Sequence, residues 1–328
     1  MTTAYDVAAI GNAIVDVLAR ADDGFLDAEG LAKGSMQLID EARAQDLYGR
    51  MAAGIEASGG SAANTIAGVA SFGGRALFVG KVAKDALGDV FTHDIRAGGT
   101  WFETTPLNAG PATGRCLINI TPDGERTMCT FLGAAVRLTP KDVDPVAIAG
   151  ARILYLEGYL FDPEDARAAF GKAAAAARAA DRTIAFSLSD AFVVERHREE
   201  LLSFIDTEVD VLFANEAEIE ALFQSDFETG LAALQGRVKI AAVTRGAQGS
   251  VILADGAQTT IAAEPAEKVL DTTGAGDQFA AGFLVGLAGG RPLAECGHLG
   301  SMAAAEVIAH VGPRPQVRLS ELAAVKGI

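Results

Sequence analysis

Short runs of apolar and β-branched residues recur along the chain, and most end at glycine, asparagine or serine before a stretch with helical periodicity. These runs occupy residues 5–10, 76–79, 153–156, 184–188, 209–213 and 239–243. Buried strands that alternate with helices are typical of βαβ units, in which helices cover both faces of a mostly parallel sheet. The pattern therefore predicts an α/β fold.

The clearest helix is predicted after Phe161. Asp162 can cap its first turn, Pro163 can occupy its first helical position, and an alanine-rich segment continues to Ala180. Because alanine has the highest helix propensity, this tract predicts a scaffold helix.

Two segments, at about 14–39 and about 99–132, depart from this rhythm and show strand alternation and turn signals. In the second, Pro122, Asp123 and Gly124 separate two strand-like runs, which predicts a β-hairpin. We expect the two segments to form a small β layer, a lid, over one edge of the main sheet. No linker rich in proline or serine divides the chain, so a single domain, 1–328, is predicted.

Composition limits the classes of partner. The chain has 328 residues, of which 50% are hydrophobic, and can bury a large core. Its 27 lysine and arginine residues are outnumbered by 43 aspartate and glutamate residues, which gives a net charge of −16. A field of this sign repels nucleic acid and anionic membrane, so we expect neither as a partner. Any anion that the protein binds must be held by a local site.

Cysteine usage and the first residues bear on the compartment. Cys116, Cys129 and Cys296 are widely spaced and have no neighbouring histidine, which fits neither a disulfide framework nor a zinc site. We expect buried thiols in a reducing compartment. The first residues lack a basic region and include Asp6, and no apolar run approaches the roughly 20 residues of a membrane span. These features predict a cytoplasmic protein.

The strongest chemical signal is the run Asp-Thr-Thr-Gly-Ala-Gly-Asp at 271–277, which leads into an apolar helical pattern. The small residues Gly274, Ala275 and Gly276 allow successive backbone N–H groups to point at one spot. The helix adds its positive end, so an anion site is predicted. Asp277 has two interpretations: it can cap the helix, or it can take the proton of a hydroxyl that attacks a phosphoryl group held by this turn.

Two polar clusters lie near the start of the chain. Asn12 and Asp16 follow the first predicted strand, at the sheet edge where open α/β sheets bind ligands. Gly60 and Asn64 lie in a glycine-rich run before a helix of small residues, where a ligand could approach the backbone. Asp16 could accept a pair of sugar hydroxyls. A surface aspartate and a tight strand-to-helix turn explain the same residues without a ligand.

Later strands are followed by polar groups suited to a nucleotide. Asn215 and Glu218 begin a helical stretch, where acidic residues either complement the helix dipole or supply an oxygen ligand for Mg²⁺. Thr244, Gly246 and Gly249 follow the next strand and form a backbone-rich turn that can approach a nucleotide, although their spacing is nonspecific.

Several common motifs do not occur in the sequence. It contains no Walker A loop, no G-x-G-x-x-G dinucleotide turn, no H-E-x-x-H zinc motif and no G-x-S-x-G nucleophile elbow. The histidines, at 93, 197, 298 and 310, have no ligand or triad spacing. These observations argue against the usual NTPase, dehydrogenase, zincin and esterase classes.

The order and spacing of these clusters resemble the ribokinase-like carbohydrate kinases of the phosphofructokinase B type. Both family signatures are present, at 59–74 and 271–284, with the clusters 215–218 and 244–249 between them. The resemblance covers nearly the whole chain. It implies a ribokinase-like three-layer α/β/α sandwich with a mostly parallel central sheet and a small β lid. It also implies an enzyme that transfers the γ-phosphoryl group of ATP with the help of Mg²⁺.

The resemblance also implies roles for individual residues. Asp277 would be the catalytic base, and Gly274, Ala275 and Gly276 would form the anion hole. Acceptor hydroxyls would be bound by Asn12, Asp16, Gly60 and Asn64. ATP would be bound by Asn215, Thr244, Gly246 and Gly249. Glu218 would position Mg²⁺ through water, and Asp271 and Thr273 match positions that hold a monovalent cation, K⁺, in some members.

Within the family, the runs 11–16, 59–64, 123–127, 132–135 and 156–161 look most like those of adenosine kinases. This likeness implies transfer to the 5′-hydroxyl of adenosine, which gives AMP. A nucleoside base also needs an apolar, partly aromatic wall. The candidates for that wall are Trp101, Phe102, Phe131, Tyr159 and Phe161.

Two other functions stay open at this point. A sugar or sugar-acid kinase could act on ribose, fructose or 2-keto-3-deoxygluconate, and Arg115 and Arg126 in the predicted lid could receive a carboxylate. A noncatalytic regulator that binds a sugar or nucleotide could keep the same fold. The expected partners are small molecules in each case, and both a monomer and a homodimer are compatible with the sequence.

Overall fold

The computed structural model describes residues 3–328. In this range the strands are β1 (Tyr5–Ile10), β2 (Ile14–Arg20), β3 (Met36–Leu38), β4 (Ile55–Gly59), β5 (Ala76–Val79), β6 (Thr100–Phe102), β7 (Gly114–Ile120), β8 (Arg126–Phe131), β9 (Ala151–Glu157), β10 (Thr183–Ser187), β11 (Val211–Asn215), β12 (Ile240–Thr244), β13 (Ser250–Ala254) and β14 (Ala257–Ile261). The helices are α1 (Asp23–Glu29), α2 (Glu41–Arg50), α3 (Ser61–Ser71), α4 (Ala86–Ala97), α5 (Pro145–Ala149), α6 (Glu164–Ala179), α7 (Ala191–Glu208), α8 (Glu216–Phe223), α9 (Phe227–Leu234), α10 (Ala275–Ala288), α11 (Leu293–Val307) and α12 (Leu319–Lys326).

The larger sheet has the strand order β14-β13-β12-β11-β10-β9-β1-β5-β6. Its strands are parallel from β6 to β12, and β13 and β14 continue one edge in antiparallel pairing. Successive side chains of β1 point to opposite faces, as strand geometry requires. Ala8 and Ile10 share a core with Phe170 of α6, whereas Val7 and Ala9 share a second core with α3 and α10. The predicted three-layer α/β/α sandwich is confirmed.

The smaller sheet has the order β3-β8-β7-β2-β4. On its outer face, Val17, Leu117 and Cys129 pack against Leu26 of α1 and Leu47 of α2. Because side chains alternate along a strand, the neighbouring residues of β2, β7 and β8 point the other way, toward the main sheet. The smaller sheet therefore forms a roof over the carboxyl ends of the central strands, and its own helices cover its outer side.

Two strands differ from the predicted lid boundaries of about 14–39 and 99–132. Thr100–Phe102 pairs in parallel with β5 and is the edge of the larger sheet, not part of the roof. Ile55–Gly59 pairs with β2 and belongs to the roof, although it lies outside both predicted segments. Its polar and glycine residues gave no strand signal. The predicted hairpin around Gly124 is present as β7 and β8.

The helix predicted after Phe161 begins one residue later than expected. Pro163 has an extended backbone (φ −78°, ψ 129°) and is the N-cap residue of α6, and Asp162 does not cap the helix. Instead, the Asp162 carboxylate pairs with Arg196 and His197 of α7. The alanine tract forms a scaffold helix as predicted, since its inward side chains are buried in the core.

The three cysteines are buried free thiols. Within residues 3–328, none of the helices combines the length and the apolar character needed to cross a membrane.

Candidate active site

A cleft of about 610 Å³ lies between the roof and the carboxyl ends of the central strands. Most of the predicted site residues meet in it, although they come from distant parts of the sequence. Those that line the cleft are Asn12, Asp16, Gly60, Asn64, Asn215, Glu218, Thr244, Thr273, Gly274, Ala275, Gly276 and Asp277. Asp271 is buried behind the cleft wall, and Gly246 and Gly249 lie in the turn after β12, away from the lining.

The turn before α10 has the form expected of an anion site. Gly274 occupies the N-cap position with a left-handed backbone (φ 80°), and a Cβ there would lie 2.6 Å from the carbonyl oxygen of Pro313. Both facts require glycine at this position. No side chain in the described range caps the start of α10, so its first-turn amide groups are available to a ligand.

Asp277 lies in the first turn of α10, but its carboxylate turns away from its own helix. Its Oδ1 accepts a hydrogen bond from Ser61 Oγ at 2.6 Å, and its Oδ2 accepts one from Asn64 Nδ2 at 3.1 Å. Burial raises its pKa to about 6, although these two hydrogen bonds and the charge of Arg314 act in the opposite direction. A carboxylate with this pKa takes up a proton more readily than an ordinary aspartate and is still mostly ionised at neutral pH.

Asp16 projects from β2 into the cleft and is 6% exposed. A Cβ on Gly59 would lie 2.5 Å from its carboxylate, so the glycine leaves the space that this side chain occupies. Burial raises the pKa of Asp16 to about 7, and the nearby guanidinium groups of Arg314 and Arg126 oppose that rise. In its ionised form, the Asp16 carboxylate can accept hydrogen bonds from two neighbouring hydroxyl groups.

Glu157, at the end of β9, was not predicted as a site residue. It is completely buried, and its Oε1 accepts from the backbone and side-chain nitrogens of Asn12 at 3.2 and 2.7 Å. Its Oε2 accepts from the backbone N–H of Ala62 at 2.7 Å. Burial raises its pKa to about 7 despite these hydrogen bonds. Glu157 therefore holds the segment after β1 and the start of α3 together, a contact that depends on topology and leaves no local sequence motif.

The predicted nucleotide residues Asn215 and Glu218 form a reciprocal capping box at the start of α8. Asn215 Oδ1 accepts from the Glu218 backbone N–H at 2.9 Å, and the Glu218 carboxylate accepts from Asn215 N and Nδ2 at 3.0 and 2.7 Å. Burial raises the pKa of Glu218 to about 7. Both side chains thus have a structural role, and they also line the cleft with Thr244.

The residues predicted to hold a monovalent cation are already engaged. Arg126, from the roof strand β8, forms an ion pair with the Asp271 carboxylate and donates to Thr273 Oγ1 at 3.1 Å. Asp271 also accepts from the backbone N–H groups of Thr273 and Gly312 at 3.0 and 2.8 Å. In this arrangement the two side chains do not fit a K⁺ site, because a guanidinium group already supplies the positive charge.

The part of the cleft between the roof and α7 has a mainly apolar wall. The roof contributes Ile14, Met36, Leu38, Ile118 and Met128, and the opposite side contributes Tyr159 and Phe192. Among the aromatic candidates from the sequence, only Tyr159 lines the cleft. Trp101 is exposed on the edge of the larger sheet, and Phe102, Phe131 and Phe161 are buried. Phe192 was not predicted, since a phenylalanine at a helix start carries no functional signal by itself.

This geometry agrees with a match along most of the sequence. Residues 34–318 match the family described as pfkB family carbohydrate kinase. The chain belongs to the pfkB family of carbohydrate kinases. Adenosine kinase of Saccharomyces cerevisiae is 30% identical to this pfkB kinase over 275 residues, which cover 78% of this chain and 79% of the relative.

Two solved structures are more similar in sequence. Adenosine kinase from Sinorhizobium meliloti is 50% identical, with a TM-score of 0.93 over 98% of this chain and 99% of that one. A probable sugar kinase from Rhizobium etli is 48% identical, with a TM-score of 0.94 over 99% of each chain. As a pfkB kinase, the chain is a phosphotransferase with an alcohol group as acceptor and ATP as co-substrate.

Proposed function

We propose that this pfkB kinase transfers the γ-phosphoryl group of ATP to the 5′-hydroxyl of adenosine and forms AMP. The observation that carries the proposal is the two-part character of the acceptor cleft. Hydroxyl-binding groups surround Asp277, and an apolar wall of aliphatic, thioether and aromatic side chains continues beyond them. A free sugar has no group that gains from such a wall, whereas a nucleoside base does.

The polar part of the cleft suits a ribose. Asp16 supplies a carboxylate, and the Oδ1 atom of Asn12 is buried without a hydrogen-bond partner in the described range. A buried acceptor without a donor is costly, and a ligand hydroxyl would satisfy it. Gly60 has φ 100°, and a Cβ there would overlap the backbone oxygen of Asn12. Because glycine has no Cβ, the segment of Gly60 can pack closely against the segment of Asn12 beneath the ligand.

Catalysis then follows from the placement of Asp277. Its carboxylate, oriented by Ser61 and Asn64, takes the proton of the attacking hydroxyl, while the amide groups of the Gly274–Gly276 turn stabilise charge on the transferring phosphoryl group. The roof excludes water from the reacting groups, which limits hydrolysis of ATP. Positioning and electrostatics supply most of the rate in phosphoryl transfer.

The residues present also fit a magnesium ion that keeps its water ligands. Within residues 3–328 no cluster of three His, Cys, Asp or Glu side chains could bind a metal directly. Mg²⁺ is usually held through phosphates, waters and one or two carboxylates, and Glu218 beside the cleft can serve as such a carboxylate. When bound, the ion would neutralise charge on the phosphates. Asn215 and Thr244 would lie along the phosphates and Gly246 and Gly249 near the nucleoside of ATP.

A sugar kinase is the second candidate, because one of the two solved structures reported above is described as a probable sugar kinase. A sugar-acid acceptor has less support. Arg115 lies over the ring of Tyr48 on the outer side of the roof, and Arg126 is paired with Asp271. A noncatalytic regulator would not need a base with a raised pKa beside an intact anion site, so this alternative has the least support.

We also propose that the protein acts as a monomer. Both faces of the roof sheet are used within one chain, the inner face by the cleft and the outer face by α1 and α2. Light scattering coupled to size exclusion would give about one chain mass, 33.8 kDa, under this proposal.

The experiment that tests the function is an acceptor panel of nucleosides, sugars and sugar acids with Mg-ATP. Turnover would be followed by ADP release, and each product would be identified by its mass. Adenosine should give the highest kcat/KM. A free sugar that exceeds adenosine by more than about tenfold would overturn the nucleoside assignment and leave the kinase assignment intact.

A further inference from the structure

Arg314 lies beside the cleft, in the segment that follows α11, and no sequence motif drew attention to it. Its Nε donates a hydrogen bond to Asn64 Oδ1 at 3.2 Å, and its Nη1 donates to Ser58 Oγ. Its Nη2 is buried and has no hydrogen-bond partner among residues 3–328. A guanidinium with a buried, unused donor is costly, so its charge must be compensated by the surroundings.

The compensation comes from three carboxylates. Asp16 of β2, Asp277 of α10 and Asp94 of α4 lie close enough to raise the pKa of Arg314, although burial is the larger influence and lowers it to about 10. The side chain is therefore still a cation at neutral pH. Two of the three carboxylates are the acceptor-binding and base residues of the proposed reaction.

The segment around Arg314 is fixed to the catalytic elements at three successive residues. Gly312 N–H donates to Asp271 before the anion-hole turn at 2.8 Å. The carbonyl of Pro313 accepts from Gln278 Nε2 of α10 at 3.0 Å, and the same nitrogen donates to the backbone oxygen of Asn64. Arg314 itself reaches α3 and the roof strand β4. Such a location is typical of a residue that positions others.

We propose that Arg314 is a positioning residue for phosphoryl transfer, which orients Asn64 toward Asp277 and provides a fixed positive charge that favours the ionised forms of Asp16 and Asp277. The proposal rests on the proposed function, because it takes Asp277 as the base. It concerns this same reaction but adds a residue that acts through others and does not line the cleft.

The orientation of the Asn64 amide is fixed by hydrogen bonds at its two ends, one of them from Arg314. Because Oδ1 accepts from Arg314, Nδ2 must face the other way, and there it donates to Asp277 Oδ2 at 3.1 Å. Without the guanidinium, the amide could rotate and present its oxygen to the carboxylate. The base would then lose one of its two side-chain hydrogen bonds.

The effect of the Arg314 charge depends on the other charged groups near the carboxylates of Asp16 and Asp277. In the described range Arg314 is the one cation whose charge lowers the pKa of Asp277, whereas Asp16 is also influenced by Arg126 and by the negative charges of Asp277 and Asp271. Burial raises the pKa of Tyr155 and of Glu157, and the charge of Asp277 adds to both rises. Removal of Arg314 leaves mainly acidic neighbours, so the carboxylates of Asp16 and Asp277 would hold their protons to higher pH.

The test compares Arg314→Met and Arg314→Lys with the wild type across pH 5.5–9. The acid limb of kcat/KM for adenosine should move upward by about one pH unit in Arg314→Met, because an opposite charge at this range commonly shifts a carboxylate by one unit or more. Arg314→Lys retains the charge but not the Nε donor, so its acid limb should shift less than that of Arg314→Met, and it should lose part of kcat. KM for ATP should change less than about twofold in both.

Two controls separate this role from a structural one. Arg318→Met removes an exposed arginine four positions away and should leave rate and pH profile unchanged. Ser58→Ala removes a neutral partner of Arg314 and should leave the acid limb in place. An unchanged acid limb in Arg314→Met, or an equal upward shift in Arg314→Lys, would overturn the proposal. If Arg314→Met does not fold, Arg314→Lys decides, because the proposal requires a lower kcat in that variant and is overturned if both its kcat and its acid limb match the wild type.

Failure of the adenosine assignment can be distinguished from failure of the role proposed for Arg314. If another alcohol wins the acceptor panel, the same pH comparison is made with that substrate, and a shifted acid limb still supports the role of Arg314.

Discussion

Ser61 donates its hydroxyl hydrogen to the carboxylate of Asp277 at 2.6 Å, although 216 residues separate the two in the sequence. The contact joins the first turn of α3 to the first turn of α10 and so brings the two glycine-rich clusters into one site. It also shows why Asp277 is not a helix cap. Its oxygen atoms serve a neighbouring helix, while the N-cap position belongs to Gly274.

Asp277→Asn should abolish most turnover while both substrates still bind. The carboxamide keeps the shape of the side chain but cannot take a proton, and loss of a general base costs on the order of 10²–10⁴ in rate. Steady-state rates and calorimetric binding would measure the two effects. The matched control is Asp89→Asn, which changes an exposed aspartate in the first turn of α4 and should leave rate and substrate binding unchanged. Near-normal kcat in folded Asp277→Asn would contradict the base assignment.

The same substitution should stabilise the fold at high pH. Burial raises the pKa of Asp277 from its ordinary value to about 6, so the ionised carboxylate is less favourable in the folded chain than in the unfolded one. This group contributes most stability at low pH, and the contribution is lost as pH rises through about 6. Asp277→Asn should therefore raise Tm more at pH 8 than at pH 5. Equal differences at the two pH values would show that the pKa of Asp277 is not raised.

Activity of the wild type should fall on the acid side of neutrality. The pKa values of Asp277 and Asp16 are raised by burial to about 6 and about 7, and the reaction needs both carboxylates ionised. Protonation on going from pH 8 to pH 6 should lower kcat/KM for the acceptor by roughly tenfold or more. Rates in a buffer series, with far-ultraviolet circular dichroism to verify folding, measure this. A profile flat down to pH 5 would exclude Asp277 and Asp16 as titrating groups.

The site could be predicted from sequence only where chemistry follows a local pattern. Asp277 and its small-residue turn are adjacent in the chain, so their joint function is visible in the sequence. Glu157 and Arg314 act through contacts made after folding, and each is surrounded by residues that carry no motif. Strand β1 was predictable from its continuous apolar run, whereas β4 was not, because Glu56, Ser58 and Gly59 interrupt its apolar character.

Asp16→Ala should affect the two substrates unequally. If the carboxylate binds acceptor hydroxyls, its loss should lower kcat/KM for the acceptor by on the order of 10² while that for ATP changes much less. Initial rates with each substrate varied in turn give both values. Similar losses for both substrates would contradict the assignment of Asp16 to acceptor binding.

Phe192→Ala should weaken recognition of the base. Phe192 is 67% exposed yet lines the acceptor end of the cleft, as expected for an aromatic ring that a ligand would cover. Loss of base stacking costs about 1–3 kcal/mol, so kcat/KM for adenosine should fall by about tenfold. Trp101→Ala, an exposed aromatic residue at the far sheet edge, is the control and should have no effect. Equal behaviour of the two variants would argue against a base site at Phe192.

The most direct test of the central claim is the ratio of kcat/KM for adenosine to that for ribose, measured with the wild-type protein and Mg-ATP at pH 8. The apolar wall from Ile14 to Met128, together with Phe192, predicts a ratio well above ten and a product identified as 5′-AMP. A ratio below one, with ribose phosphate as the product, would contradict the account.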